Sequence, residues 1–254
     1  MHSTITRGET SLTIFTADEI TFDQGEGLPK PVSLIIYGAP VAPRPASVTV
    51  DFVNENFAKR LSSATNSMVV VANLSGTADS GGYYTPLTWK KDIETLIEEV
   101  SKQFHGAFVH LIAFELAGTA ALAAAVQNPL IQSIVSVGIT TSPIPFSLSV
   151  YELADQIEAR GVRISSSVEQ IKAWNLEFEA IDPFLSIPLL KSIPWLIITQ
   201  QTNDEQEISR IRRLADELDG HSEIHTIIGT GETLRADPRT FALIVGWLAR
   251  ADED

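Results

Sequence analysis

Cysteine is absent from the 254 residues, which excludes disulfide bonds, thiolate nucleophiles and zinc–thiolate sites. The absence fits a reducing compartment. Basic residues are scarce: 18 Lys and Arg stand against 32 Asp and Glu, a formal charge of -14. Binding nucleic acid or an anionic membrane needs clustered cations, so neither is an expected partner. The acidity is read as a solubility feature. Long apolar runs are also missing. No stretch reaches the roughly 18 residues that span a bilayer, and the first residues, MHSTITRGETSL, lack the apolar centre of a secretion signal. A soluble, cytoplasmic protein is expected.

What is present is core material. Apolar residues make up 44%, enough to bury a sizeable interior. The length suits one α/β domain with a small insertion.

Alternating apolar residues in SLTIFTA and DEITFD predict an antiparallel pair near the start. PVSLIIY (31–37) is denser, as in a strand covered on both faces. The Pro-rich GAPVAPRP after it must be loop. From Asp51 the period turns helical, with Val53, Phe57 and Leu61 on one face. SMVVVAN (67–73) is the next strand, ending in the loop LSGTADSGGYYT. Pro86 to Phe104 carries a stripe of Trp89, Ile93, Leu96, Ile97, Val100 and Phe104. Thr85-Pro86 caps that helix and Gly106 stops it. Then follow the strands AFVHLIAF (107–114), IQSIVSVGI (131–139), PWLIIT (194–199) and SEIHTII (222–228), with helices at LAGTAALAAAV, about 205–218 and 238–250.

This alternation predicts an α/β fold, a mostly parallel eight-stranded sheet with helices on both faces. Residues 141–192 break the rhythm with two helical patterns, VYELADQIEARG and SVEQIKAWNLEFEA, and no convincing strand. They are expected to form a helical cap over the C-terminal edge of the sheet, the core being 1–140 and 193–254. A wandering crossover connection is the alternative.

The segment VHLIAFELAGTAALAAA (109–125) resembles the strand–elbow–helix of α/β-hydrolases, which carry a nucleophile between small residues two before and two after it. Here Ala113 and Ala117 flank Glu115, so the family's serine position holds a glutamate. Four further segments match in order. Tyr37-Gly38-Ala39-Pro40 resembles the family's His-Gly segment, and NLSGTADSGGY its glycine-rich loop. In PWLIITQQTND, Asp204, or Asn203 if the register shifts by one, falls near the acid position. IIGTGETL resembles the segment that bears the catalytic histidine, with Glu232 in its place.

The resemblance thus implies a degenerate triad of Glu115, Glu232 and Asp204, with oxyanion-hole equivalents at the N–H groups of Ala39 and Leu116. It implies a pocket between cap and core, lined by Tyr37, Phe114, Tyr83 and Tyr84. A serine hydrolase needs a nucleophile, a base within reach and a group that orients the base. Ser80 and Ser142 lie in loops with no base beside them. His2 is terminal, His105 closes a helix, His110 and His225 lie within strands, and His221 precedes the last strand at the opposite end of the sheet. Haloalkane dehalogenases in this superfamily use an aspartate nucleophile, yet still need a histidine to activate water.

Two fates for Glu115 follow. Its carboxylate could fold into the oxyanion hole, onto the free N–H groups and positive end of the following helix. Alternatively Glu115, Glu232 and Asp204 form a carboxylate cluster. Crowding would raise one pKa and suit isomerase, epimerase or lyase chemistry, or would hold a Ca²⁺ or Mg²⁺ ion or a cationic ligand. No cofactor or resident metal is called for. The leading expectation is a non-hydrolytic protein that binds a small molecule or peptide. The alternatives are an acid–base enzyme using Glu115 and Glu232, an ester or amide hydrolase with an unidentified nucleophile, and a scaffold in a homo- or hetero-oligomer.

Overall fold

The computed structural model describes residues 2–7, 10–15, 30–38, 50–78, 80–139, 148–190, 193–217, 222–228 and 234–252. The elements, in chain order, are β1 (His2–Arg7), β2 (Thr10–Phe15), β3 (Val32–Tyr37), α1 (Val50–Thr65), β4 (Val69–Asn73) and α2 (Pro86–Gln103). Next come β5 (Val109–Phe114), α3 (Ala117–Ala125), β6 (Ile131–Val137), α4 (Val150–Ala159), α5 (Val168–Ala180) and the short α6 (Pro183–Ser186). The chain continues through β7 (Trp195–Gln200), α7 (Glu205–Glu217), β8 (Glu223–Ile227) and α8 (Pro238–Ala251).

The order across the sheet is β1-β2-β4-β3-β5-β6-β7-β8. Six strands, β3 to β8, run parallel, and β2 lies antiparallel on the edge of β4 with β1 beyond it. The expected N-terminal pair is present with a different membership. SLTIFTA supplies β2, but its partner is His2–Arg7, while DEITFD lies outside the described residues. The polar alternation of HSTITR, with only one bulky apolar residue, hides a strand whose main role is to pair with β2.

Parallel strands need crossovers, and the crossovers cover both faces. Successive strand residues point to opposite sides. Leu34, Ile36, Val70, Leu111, Ala113, Ile134 and Ile197 pack with α2 and α3. Ile35, Tyr37, Ile112, Phe114, Val135, Val137 and Ile198 pack with α1 and α8. This is why β3 and β5 read as apolar runs broken only by Ser33 and His110. All nine residues of α3 are buried. Alanine, glycine and threonine there let the helix sit close to both β5 and α2.

Caps set the helix starts as expected. The Thr85 side chain accepts the N–H of Thr88, with Pro86 in the first turn. Asp237 accepts that of Arg239, with Pro238 following. Ser149 and Glu152 cap each other reciprocally at α4.

The segment 148–190 is helical, as its two amphipathic patterns predict. Its apolar side chains Leu153, Ile157, Trp174, Phe178 and Ile181 join the same buried cluster as α2 and α3. It is stitched to the loop before α2. Tyr84 N donates to Arg163 O at 2.9 Å and Arg163 N to Gly76 O at 2.8 Å. Gly76 has φ +82°, and a Cβ there would stand 2.7 Å from Arg163 O, so the close crossing requires glycine. No helix of the described residues is long and apolar enough to cross a membrane.

Candidate functional site

A tight strand-to-helix turn lies at the C-terminal end of β5, between Phe114 and Ala117. Glu115 takes φ +51° there, the left-handed region that costs a non-glycine residue roughly 1 kcal/mol or more. Two backbone bonds hold it: Glu115 N donates to Val137 O at 2.7 Å, and Gly118 N to Glu115 O at 2.9 Å. The turn opens at the point where β3 and β5 lie side by side and the chain leaves them in opposite directions. Open α/β sheets place their binding crevices at such points.

Gly38, just after β3, touches the turn. A Cβ on Gly38 would lie 2.7 Å from Phe114 O, 2.9 Å from Ala117 N and 3.1 Å from Leu116 N. Only glycine allows these two backbones to meet, and the small residues on each side of Glu115 serve the same need. Gly38 therefore sits beside the N–H of Leu116. Ala39, the expected second N–H, lies outside the described residues.

The carboxylate of Glu115 does not fold back onto the helix N-terminus. Its Oε2 lies 3.3 Å from Nη2 of Arg235, whose side chain is 4% exposed, and 4.0 Å from Nη1 of the more exposed Arg160. The correction has a simple cause: a guanidinium is a stronger partner for a carboxylate than neutral N–H groups. Arg235 comes from the stretch before α8 and Arg160 from the end of α4. The guanidinium of Arg235 lies 5.2 Å from the ring centroid of Tyr37 and 5.6 Å from that of Phe114, within the range of cation–π attraction. The other carboxylate oxygen of Glu115, Oε1, is buried with no hydrogen-bond partner among the described residues.

No local pattern singles out Arg235. It stands three residues past Glu232, in a stretch whose comparison with the hydrolase pattern draws attention to the missing histidine. An arginine just before a capped helix reads as solvated surface. The signal that could have found it is electrostatic: a glutamate forced into a turn at the heart of the sheet requires a cation nearby.

The remaining predicted positions divide clearly. Phe114 is fully buried and stacks on Tyr37 with ring centroids 5.0 Å apart. Tyr84 is 1% exposed, wedged edge-on between Trp89 and Trp174 at 4.5 and 4.9 Å. Both are core residues: Phe114 follows the buried register of β5, and Tyr84 is bridged to Ile164. Burial pushes both the Tyr37 and the Tyr84 hydroxyls well above the ordinary phenol range. For Tyr37, Arg235 partly opposes the shift. Tyr83 is the aromatic that faces outward, at 59% exposure.

Asp204 is exposed and caps α7, accepting the N–H groups of Gln206 at 2.9 Å and Glu207 at 3.2 Å. Glu232 and Ser142 lie outside the described residues. Ser80 is buried and donates to Asn73 O at 2.8 Å. His225 is a half-exposed strand residue paired with Glu223. Among the described residues no group of three His, Cys, Asp or Glu side chains could hold a metal. A shallow groove of about 420 Å³, lined by Lys59, Arg60, Ser63, Ala64 and Phe241, lies elsewhere on the surface and includes no residue of the turn.

No protein-family model matches the sequence, and no curated protein matches it. Solved structures do match, over nearly the whole chain. The protein TT1662 from Thermus thermophilus aligns with a TM-score of 0.65 at 12% identity, covering 100% of this chain and 98% of its own. The thioesterase domain from the curacin biosynthetic pathway aligns with a TM-score of 0.60 at 14% identity, covering 98% and 99%. XC6422 from Xanthomonas campestris, described as an a/b serine hydrolase without lid, aligns with a TM-score of 0.56 at 14% identity, covering 99% and 94%. At such identities the likeness speaks for the fold and not for the chemistry. This chain therefore has the α/β-hydrolase fold, with a glutamate on the turn between β5 and α3.

Proposed function

We propose that this protein binds a small molecule or peptide at the C-terminal end of its sheet and does not hydrolyse it. By the motif resemblance Glu115 takes the nucleophile position of an α/β-hydrolase, and in sequence Glu232 takes that of the histidine base. The observation that carries the reading is the 3.3 Å contact between Glu115 Oε2 and Arg235 Nη2. A carboxylate held by a buried guanidinium is a poor nucleophile, since attack would strip the cation of its counter-charge. The contact also weighs against the acid–base alternative. That scheme needs carboxylates crowded on one another, whereas Glu115 faces two guanidinium groups.

The same geometry suits recognition. Oε1 of Glu115 is buried without a hydrogen-bond partner among the described residues, and an N–H or O–H on a ligand would complete it. Arg160, 40% exposed and 4.0 Å from Oε2, brings α4 to the rim of the site, consistent with a cap role for the segment 148–190.

The test treats the wild type and Glu115→Ala with a fluorophosphonate probe and with short-chain p-nitrophenyl esters and aminoacyl anilides. Native mass spectrometry runs in parallel. No labelling and no turnover, with a bound mass on the wild type, supports the proposal. Turnover lost in Glu115→Ala would make Glu115 catalytic and overturn it. Labelling retained in both proteins would reveal a nucleophile elsewhere.

A further inference from the structure

Four residues before the end of β5, on the face covered by α8, the buried ring of His110 uses both its nitrogens. Nδ1 lies 2.8 Å from Ser133 Oγ on β6, and Nε2 lies 2.9 Å from Asp252 Oδ1 at the end of α8. His110 is 2% exposed and Ser133 is fully buried. The order Ser–His–Asp is that of a hydrolytic triad, but a serine with no accessible surface cannot meet a substrate. The arrangement fastens α8 to the sheet instead. Gln132 adds a second tie, its Nε2 donating to Ala251 O at 3.1 Å.

The other end of α8 is fastened too. Leu234 and Arg235 are both buried, and Asp237 N donates to Leu234 O at 3.3 Å, folding the segment tightly onto the helix cap. Arg235 then reaches Glu115. Between the two ends, Thr240, Ile244, Trp247, Leu248 and Ala251 form the buried face of one unbroken helix. It spans about 21 Å at 1.5 Å per residue.

We infer that α8 is a strap tied at both ends, by Ser133–His110–Asp252 and by Glu115–Arg235, so that releasing either tie loosens the other. The inference stands on these contacts and does not depend on the binding role proposed above. His110 is on this view a positioning residue for Arg235, acting through the helix. A rod packed along one face moves as a unit more readily than it bends, which is the physical basis for the coupling.

Amide hydrogen exchange on the full chain tests it. In Asp252→Ala, exchange should rise about tenfold or more at 248–251 and also at 234–237, while β5 and β6 keep wild-type protection. Asp252→Asn should resemble wild type, because its amide oxygen accepts the same hydrogen bond. Glu115→Gln should in turn speed exchange at 248–251 and shift the ring ¹⁵N resonances of His110. Acceleration confined to 248–251 in Asp252→Ala would overturn the coupling. So would acceleration spread over the whole sheet, an unmoved His110 ring in Glu115→Gln, or Asp252→Asn behaving like Asp252→Ala.

Discussion

Glu115 and Arg235 meet across the end of the sheet at 3.3 Å, the carboxylate 15% exposed and the guanidinium 4% exposed. They come from segments 120 positions apart, one on a strained turn and the other in the approach to the last helix. Burying one without the other would leave an uncompensated charge, so the two should be considered a single feature.

Arg235→Met should therefore destabilise the fold by about 3 kcal/mol, the usual cost of removing one partner of a buried pair. The double variant Glu115→Gln/Arg235→Met should recover most of that loss. Urea unfolding of the four proteins of the cycle measures it, and equal, additive effects would show that the pair is not coupled.

Placing a serine on the turn should not create an esterase. Glu115→Ser restores the hydrolase residue type at the elbow, but no histidine follows residue 225 in the chain, so the base position stays empty of imidazole. Turnover of p-nitrophenyl acetate should stay at the wild-type background. A rise of tenfold or more would mean that another group serves as base.

Gly38→Ala should disturb the turn from the other side. The new methyl would stand 2.7 Å from Phe114 O and 2.9 Å from Ala117 N. Both are backbone atoms that cannot swing away, so a loss of about 1–3 kcal/mol is expected. Thermal unfolding reads the loss, and a crystal structure should show the segments after β3 and β5 pushed apart.

Asp204→Ala should cost about 1 kcal/mol by removing the α7 cap and leave ligand binding unchanged. Weaker binding with unchanged stability would instead give Asp204 a role in the site.

Acid should weaken the outer edge of the sheet. The Glu223 carboxyl is held below its usual range, chiefly by its hydrogen bond to His225 and further by Arg250. A depressed carboxylate pKa stabilises the fold above the unfolded-state value, and that stability is lost as pH falls through the folded-state value. Glu223→Gln should lower stability near neutrality and flatten the stability profile below about pH 4.5. An unchanged acid limb would remove Glu223 from the account.

Sequence periodicity located the elements well where burial was two-sided. The runs 67–73, 107–114 and 194–199 became β4, β5 and β7, and the α2 stripe of Trp89, Ile93, Leu96, Ile97 and Val100 is buried throughout. Burial of the individual aromatics was less legible. Tyr83 and Tyr84 look alike in sequence, yet the first is exposed and the second is enclosed by two tryptophans. Their difference comes from a tertiary bridge between Tyr84 and Ile164 that no local pattern encodes. Glu115 was visible because a motif surrounds it. Arg235 was not, because its role depends on where a residue 120 positions earlier points its side chain.

That bridge has an optical consequence. Tyr84 is held edge-on against Trp89 of α2 and Trp174 of α5, and both indoles are sealed from solvent. Any motion that lifts the segment 148–190 from the sheet must part those rings and wet them. The intrinsic fluorescence of the unlabelled protein thus contains its own gauge of that motion: a red shift on adding a ligand would report the segment lifting from the sheet, and an unmoved spectrum would mean that it stays seated.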